Sequence, residues 1–365
     1  MQFEFFPSRT LTFYLARLFI VRILAVLVML VLVLQALDML GESGKILGYP
    51  GNDQAQLWHY AALRAPQLVA RFLPYSVLLA TIITLATLNQ NSEVISMKAA
   101  GMSAHQVLAP LLLTALAVSV VSFAFNERVV TRATATLSAW QDANYGPIPA
   151  ESGIRRNVYA ADGPDILSAI TVSGSGKQMV MTGVTFYHRD AKGMIADQIR
   201  SPRANYADPG WRLESPTRFN VELAQTDKVQ PLVVAKGLTP DKVSISGVDA
   251  DAENVIQLRR SIDLLASAGR RTAELRGKWW HKFSGPLSAV LMPLLGAVAA
   301  FGLARSGQLF VRAVIGMFLG FAYFVVDNAA LAMGNFGGYP PLLAAWAPFF
   351  LFFLVGEMVL IRTEE

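Results

Sequence analysis

The chain contains no cysteine, which excludes disulfides, thiolate metal sites and thiol nucleophiles. Histidine is nearly as scarce. His59, His105, His188 and His281 each stand alone on a different predicted segment, so no His cluster with metal-ligand spacing exists. Charge is thin as well, at 16% of the 365 residues, against about 25% in an ordinary soluble domain. With 53% hydrophobic residues and a mean hydropathy of +0.41, one water-soluble globule does not fit. The charge that is present is unevenly placed: 21 of the 31 Lys and Arg, and 17 of the 26 Asp and Glu, lie between Asn126 and Lys282. Under half of the chain thus holds two thirds of its charge. The flanks are poor enough in charge to cross a bilayer, and the pattern reads membrane, soluble insert, membrane.

The net charge of +5 and pI of about 9.4 come mostly from the insert. Its basic residues are interspersed with acids and form no stripe, so nucleic acid is not an expected partner. Anionic lipid headgroups are compatible with this balance. The start, MQFEFFPSRTLTFYLARLF, shows no small-residue cleavage site after its apolar stretch, and the first span is expected to remain in the mature protein.

Crossing roughly 30 Å of hydrocarbon takes about 20 apolar residues, and six segments qualify. They run from about Leu18 to Leu40, Leu68 to Leu88, Val107 to Phe125, Phe283 to Ala304, Leu309 to Met333 and Leu342 to Leu360. An even number puts both termini on one side and the insert on the other. Arg9, Arg17, Lys98, Arg305, Arg312 and Arg362 fall on the terminal side, against Lys45, Arg64 and Arg71 in the opposite short loops. This bias makes the terminal side cytoplasmic and the insert extracytoplasmic.

From about Tyr145 to Gly247 short alternating apolar stretches replace the long runs, as in Gln178 to Tyr187, Arg212 to Ser215 and Arg218 to Leu223, with turns such as Asp208-Pro-Gly210 between them. Antiparallel hairpins in an all-β sandwich or open barrel of roughly 100 residues follow. From Asp249 to Lys282 the period becomes helical, with Asp251 or Asn254 as cap and Ile256, Leu258, Ile262, Leu264 and Leu265 as the apolar face. Trp279, Trp280, His281 and Lys282 mark a water interface where the chain re-enters the membrane. The expected fold is an α-helical membrane protein with six transmembrane helices and an inserted β-jellyroll. Residues 1–125 hold spans one to three, 126–282 the jellyroll domain with flanking helical connections, and 283–365 spans four to six.

Motifs for chemistry are sparse. Gly174-Ser-Gly-Lys177 lacks the earlier Gly and following Ser or Thr of a phosphate loop, which are Thr171 and Gln178 here, and reads as a hairpin turn. Gly101-Met-Ser-Ala-His105 fails the nucleophile elbow at its last position. Ser103 with Gln106 instead makes a capping box opening the third span. With no nucleophile and base, no paired carboxylates and no cofactor fingerprint, the chain is expected not to be an enzyme.

The informative polar residues lie in or beside spans. Asp38 and Asp327 stand near the outer ends of the first and fifth spans, where a carboxylate requires water or a partner. A shared, outward-opening wet cavity accounts for both, as does simple contact with headgroup water. Arg22 and Glu357 read as snorkelling or mutually paired. Gly316-Met-Phe-Leu-Gly320 is a small-residue face that admits a close helix. Between the second and third spans, Asn91 or Ser92 starts a helix of about two turns. It has Glu93 in its first turn, Val94 and Met97 on one face and a stop at Gly101. So short a helix is not stable alone. It either lies on headgroups or packs against a cytoplasmic partner, with Glu93 offering charge and Met97 an adaptable apolar contact.

Three segments carry a family likeness: Ser92 to Ser103; Leu238-Thr-Pro-Asp-Lys242; and the run from Pro286-Leu-Ser288 through Arg312-Ala-Val314, Tyr323 to Asn328 and Pro340-Pro341 to Trp346-Ala-Pro348. With the architecture, they make the chain resemble the lipopolysaccharide export permeases, more closely the G-type than the F-type subunit. The resemblance implies a bacterial inner-membrane subunit of an ABC transporter with cytoplasmic termini and a periplasmic insert. It implies a sister F-type permease, a cytoplasmic ATPase dimer that binds ATP and magnesium while this chain binds no cofactor, and a periplasmic bridge protein with a single membrane anchor. It places ATPase coupling in the helix at about 91–101, on Ser92, Glu93, Val94, Met97 and Gly101. The first and fifth spans become lateral gates, with Val314, Gly316, Phe318, Gly320 and Phe321 along the acyl path. Asp38, Lys45, Arg128, Arg132 and Asp327 are the candidates for the headgroup rim. G-type relatives can carry basic residues after the acid of the first span; here Gly41-Glu42 follows, and Arg128 and Arg132 are chemically suitable replacements. A reading from another class is a scaffold that transmits force to the insert without conducting lipid. A membrane-anchored hydrolase lacks a catalytic constellation.

Overall fold

The computed structural model describes residues 7–147, 155–174, 176–190, 193–244, 248–267, 270–301 and 309–364. Ser175, Gly247, Ala304 and Arg305 of the expectations above, and the side chain of Arg312, lie outside the described residues. The elements are α1 (Arg9–Leu47), α2 (Gln54–Gln90), α3 (Glu93–Ala99), α4 (Ala104–Phe125), a π-helical turn (Asn126–Val130) and α5 (Thr131–Asp142). The strands are β1 (Arg155–Asp162), β2 (Asp165–Ser173), β3 (Val180–Arg189), β4 (Ile195–Ala207), β5 (Gly210–Glu214), β6 (Thr217–Asn220), β7 (Gln225–Lys228) and β8 (Val233–Val234). Then come α6 (Pro240–Ser244), α7 (Val255–Ser267), α8 (Ala273–Phe301), α9 (Leu309–Asn335) and α10 (Pro341–Glu364). The chain forms two compact units. One comprises Met1–Leu37, Ala65–Arg128 and Arg271–Glu365, the other Asp38–Arg64 and Val129–Arg270.

Five described helical stretches are long and apolar enough to cross a membrane: Arg9–Leu47, Gln54–Gln90, Ala104–Asp142, Val314–Asn335 and Pro341–Arg362. The expected fourth span lies in α8, helical through Phe301. α1 has 39 residues, or about 58 Å at 1.5 Å per residue, and so overruns its apolar run at both ends. Its buried stripe, Leu15, Phe19, Ile23 and Leu27, recurs every fourth residue and enters a core with Val77 and Leu85 of α2, Leu108 and Leu111 of α4 and Met292 and Leu295 of α8. Glycine sets two of the closest approaches. A Cβ on Gly296 of α8 would lie 2.7 Å from the Thr81 side chain of α2, and one on Gly320 of α9 would collide with Leu78 of α2. Each interior proline removes the N–H that would bond the carbonyl four residues earlier. One turn beyond Pro110 the Thr114 hydroxyl bonds back to the Pro110 carbonyl at 2.7 Å.

The second unit contains an antiparallel sheet in the order β1-β2-β3-β4-β5-β8, with β6 pairing β4 and β7. β4 is long enough to bond two strands in succession along one edge, β6 through Asp197–Arg200 and β5 through Arg203–Ala207. At the switch the Ser201 hydroxyl donates to the carbonyls of Arg203 and Glu214. One face gathers Val158, Leu167, Met181, Val184, Trp211 and Leu213 into a second core. The sheet curves as a half-barrel, which is the open-barrel alternative of the two that its alternating texture allowed. The Gly174–Lys177 motif falls in the β2–β3 connection. The Arg218 to Leu223 stretch is strand only to Asn220, where the Asn220 carboxamide oxygen accepts from the Leu223 N–H and turns the chain. At α7 the cap is Asn254, in a reciprocal pair of hydrogen bonds with Gln257. Only Leu258, Ile262 and Leu265 of its expected apolar face are buried; Ile256 and Leu264 point outward. A third core, of Ile46, Tyr60, Leu137, Trp140 and Tyr145, joins the end of α1, the start of α2 and α5.

Candidate functional site

The segment between α2 and α4 is built by local rules. Of the two expected starts, Asn91 or Ser92, Ser92 stands at the N-cap of α3, at φ 60° in a left-handed turn and without a capping hydrogen bond from its side chain. The helix ends in a Schellman motif at Gly101, φ +86°, where the Gly101 N–H donates to Lys98 and the Met102 N–H to Met97. The Ser103–Gln106 capping box then opens α4 as expected. Within α3, Val94 and Met97 turn inward and are buried in this chain's own core. The Met97 expectation is thereby corrected: the position faces α-helical neighbours of the same chain, and the apolar side chain α3 presents outward is Ile95, 63% exposed. Glu93 is held from two sides, by the Tyr14 hydroxyl of α1 at 3.2 Å and the Asn91 amide at 3.3 Å. Of the two readings of Arg22 and Glu357, snorkelling or mutual pairing, the described contacts do not carry the pairing. Arg22 donates to the Ile83 carbonyl and Glu357 meets His105, each 3.3 Å away.

α9 has two faces. Gly316 and Gly320 are buried, and Val314, Phe318 and Phe321, spaced four and three residues apart, are exposed. Further along, Asp327 is buried and its Oδ2 lies 2.9 Å from His281 Nε2 of α8.

Asp38 belongs to the other unit and is also bonded within it. It accepts from the Tyr60 hydroxyl at 2.5 Å and from the Arg64 guanidinium through two bonds of 3.1 Å. One turn on, Glu42 accepts from Lys45 at 2.8 Å and from the Tyr145 hydroxyl at 2.5 Å. Burial first, and then the bond to Glu42, pushes the Tyr145 hydroxyl above the ordinary tyrosine range. Thus Asp38 is a paired carboxylate and Lys45 an exposed ammonium tied to Glu42, while Arg128 and Arg132 are exposed. Sequence reasoning missed Tyr14, Tyr60 and Arg64 as partners. Tyr60 and Arg64 were findable, since they stand four apart on one helix face beside the carboxylate that required a cation.

Long apolar helices, a short carboxylate-bearing helix joining two of them and a β-unit inserted between α5 and α7 are the features of a polytopic membrane protein. A family profile described as "Lipopolysaccharide export system permease LptF/LptG" matches residues 13–362, and the chain belongs to this family. It is 25% identical over 353 residues to the lipopolysaccharide export system permease protein LptG of Escherichia coli K12, covering 93% of each chain. It is 24% identical over 325 residues to the protein of the same name from Haemophilus influenzae Rd, covering 86% of this chain and 89% of the relative. The protein is a multi-pass inner-membrane protein with a permease's architecture.

Proposed function

We propose that this chain is the G-type permease subunit of an ABC transporter, extracting lipopolysaccharide from the inner membrane and passing it toward a periplasmic bridge. The supporting observation is α9. Its glycine face is packed and its opposite face leaves Val314, Phe318 and Phe321 open, the chemistry acyl chains require. In this reading both termini are cytoplasmic, the β-rich insert is periplasmic, and the functional divisions are 1–125, 126–282 and 283–365. A sister F-type permease faces α1 and α9. Arg128 and Arg132, with Lys45, meet headgroup phosphates by charge-assisted hydrogen bonds. Asp38 acts indirectly by holding Arg64, and Asp327 by holding His281. ATP and magnesium reside on a cytoplasmic ATPase dimer, whose force enters through α3 at Glu93.

The test is photo-crosslinking from Phe318 and from the inner face of the sheet, in membranes containing the sister permease and the ATPase. Lipopolysaccharide adducts at both positions, dependent on ATP at the second, are expected. Adducts at neither position overturn the reading in favour of force transmission without lipid conduction.

A further inference from the structure

Asp327 is only 5% exposed, and among the described residues one of its oxygens is satisfied: Oδ2 meets His281, whereas Oδ1 has no hydrogen-bond partner. Two more buried hydroxyls lie in the same stretch, Ser284 of α8 at 0% exposure and Tyr323 of α9 at 1%; neither makes a well-formed hydrogen bond, and the side chain nearest in effect to the Tyr323 hydroxyl is Ser288, whose own hydroxyl donates to the Gly285 carbonyl. Their spacing puts them together. His281 and Ser284 are three residues apart on α8, Tyr323 and Asp327 four apart on α9, so each pair shares a helix face. The His281–Asp327 bond sets those faces against each other.

Buried polar atoms are nearly always satisfied, and the chemistry of this set selects the ligand. A carboxylate oxygen only accepts, while hydroxyls donate and accept. Water does both, and a buried water takes about three such partners. One carboxylate among neutral donors is too little charge for a dedicated divalent-cation site. We propose that Asp327, Ser284 and Tyr323 form a water-binding site inside the α8–α9 pair, with His281 at its mouth, where the His281–Asp327 pair holds one exchangeable proton. The His281 side chain is one third exposed, which supplies the route. With Nε2–H directed at Asp327, the imidazole Nδ1 takes a proton from a hydronium ion of the outer solution, one O–H bond of the hydronium breaking and a water molecule being left as the N–H bond forms. The resulting cation stays paired with the carboxylate, and release of the proton back to water reverses the step. Among the described residues, Tyr75 of α2, stacked on Phe324, lies within electrostatic reach of Asp327 and of Arg71; Lys282 of α8 is paired at 3.6 Å with Glu127, and α10 sets the ring of Phe352 against Tyr323.

Radiolytic footprinting of the full chain in nanodiscs, in oxygen-isotope-labelled water, tests the site. Tyr323 should take up label despite its burial, Phe19 in the apolar core should not, and Ser284→Ala should reduce the Tyr323 label. A Tyr323 as unreactive as Phe19 overturns the water site. Infrared difference spectra between pH about 5 and about 8 should show an imidazole and carboxylate signal that is lost in Asp327→Asn. A signal unchanged in that variant overturns the proton assignment. If Asp327→Asn fails to fold, His281→Gln takes its place in the same comparison, and the wild-type footprint still decides the water site.

Discussion

The Tyr14 hydroxyl of α1 donates to the Glu93 carboxylate that opens α3, 3.2 Å to Oε2 and 3.4 Å to Oε1. The acid proposed as the ATPase contact is therefore held by the helix proposed as a lateral gate. The two helices are joined again beneath it, because Leu15, Phe19 and Ile23 of α1 occupy the same core as Val94 and Met97 of α3. A displacement of α3 consequently reaches α1 through packed side chains as well as through the hydrogen bond.

Glu93→Lys should leave folding intact, within about 0.5 kcal/mol for an accessible position, while weakening ATPase association by about 2 kcal/mol or more, beyond tenfold. Tyr14→Phe removes only a half-exposed hydrogen bond and should cost no more than about 0.5 kcal/mol. Co-purification of the ATPase and lipopolysaccharide release from membranes read both effects. Full association and normal export by Glu93→Lys would sink the coupling role.

Met97 and Ile95 separate packing from docking. Met97→Ala, at a buried position, should destabilise the chain by about 2–4 kcal/mol, visible as a lower unfolding temperature in detergent. Ile95→Ala should leave that temperature unchanged and weaken ATPase association instead. The reverse pattern would show that α3 turns its other face to the partner.

Much of this was legible beforehand, for identifiable reasons. The helices announce themselves because bilayer thickness demands long apolar runs, and the Ser103–Gln106 box is a rule of spacing alone. What stayed hidden is tertiary. A seven-residue helix has apolar residues on more than one face, so periodicity could not tell whether Met97 or Ile95 looked outward. The partners of Asp38 lie 22 and 26 residues away on another helix, and only the fold brings them within reach. Exposure of Ile256 and Leu264 was missed because apolar character was read as burial, which α7 honours at every third or fourth position only.

Gly320 is a further point where the sequence named the residue and the structure names its partner, Leu78. Gly320→Val forces a branched side chain into that contact and should cost about 1–3 kcal/mol by overpacking. Leu78→Ala alone loses packing, about 2–4 kcal/mol. Combined, the two should cost less than their sum, because the smaller residue makes room for the larger. Strict additivity of the unfolding free energies would show that the two positions do not touch.

The acid sensitivity of the sheet has a specific source. Asp197 of β4 is 6% exposed and lies opposite Asn220 of β6; it accepts from the Arg218 guanidinium and, at 3.1 Å, from the Asn220 amide. The Arg218 hydrogen bond holds the carboxyl below the ordinary aspartate range, against the opposing effect of burial. A depressed carboxyl means that the unfolded chain binds the proton more readily. Its contribution is thus complete above the unfolded value of about 3.9 and is lost as pH falls through the folded one. Asp197→Asn should remove about 1–2 kcal/mol at neutral pH, a figure kept low because Arg218 is half exposed, and should flatten the loss that sets in as pH falls below about 4. Hydrogen exchange of the β6 amides, corrected for intrinsic rates, measures this limb. An acid limb in Asp197→Asn as steep as in the parent would place the sensitivity in another carboxylate.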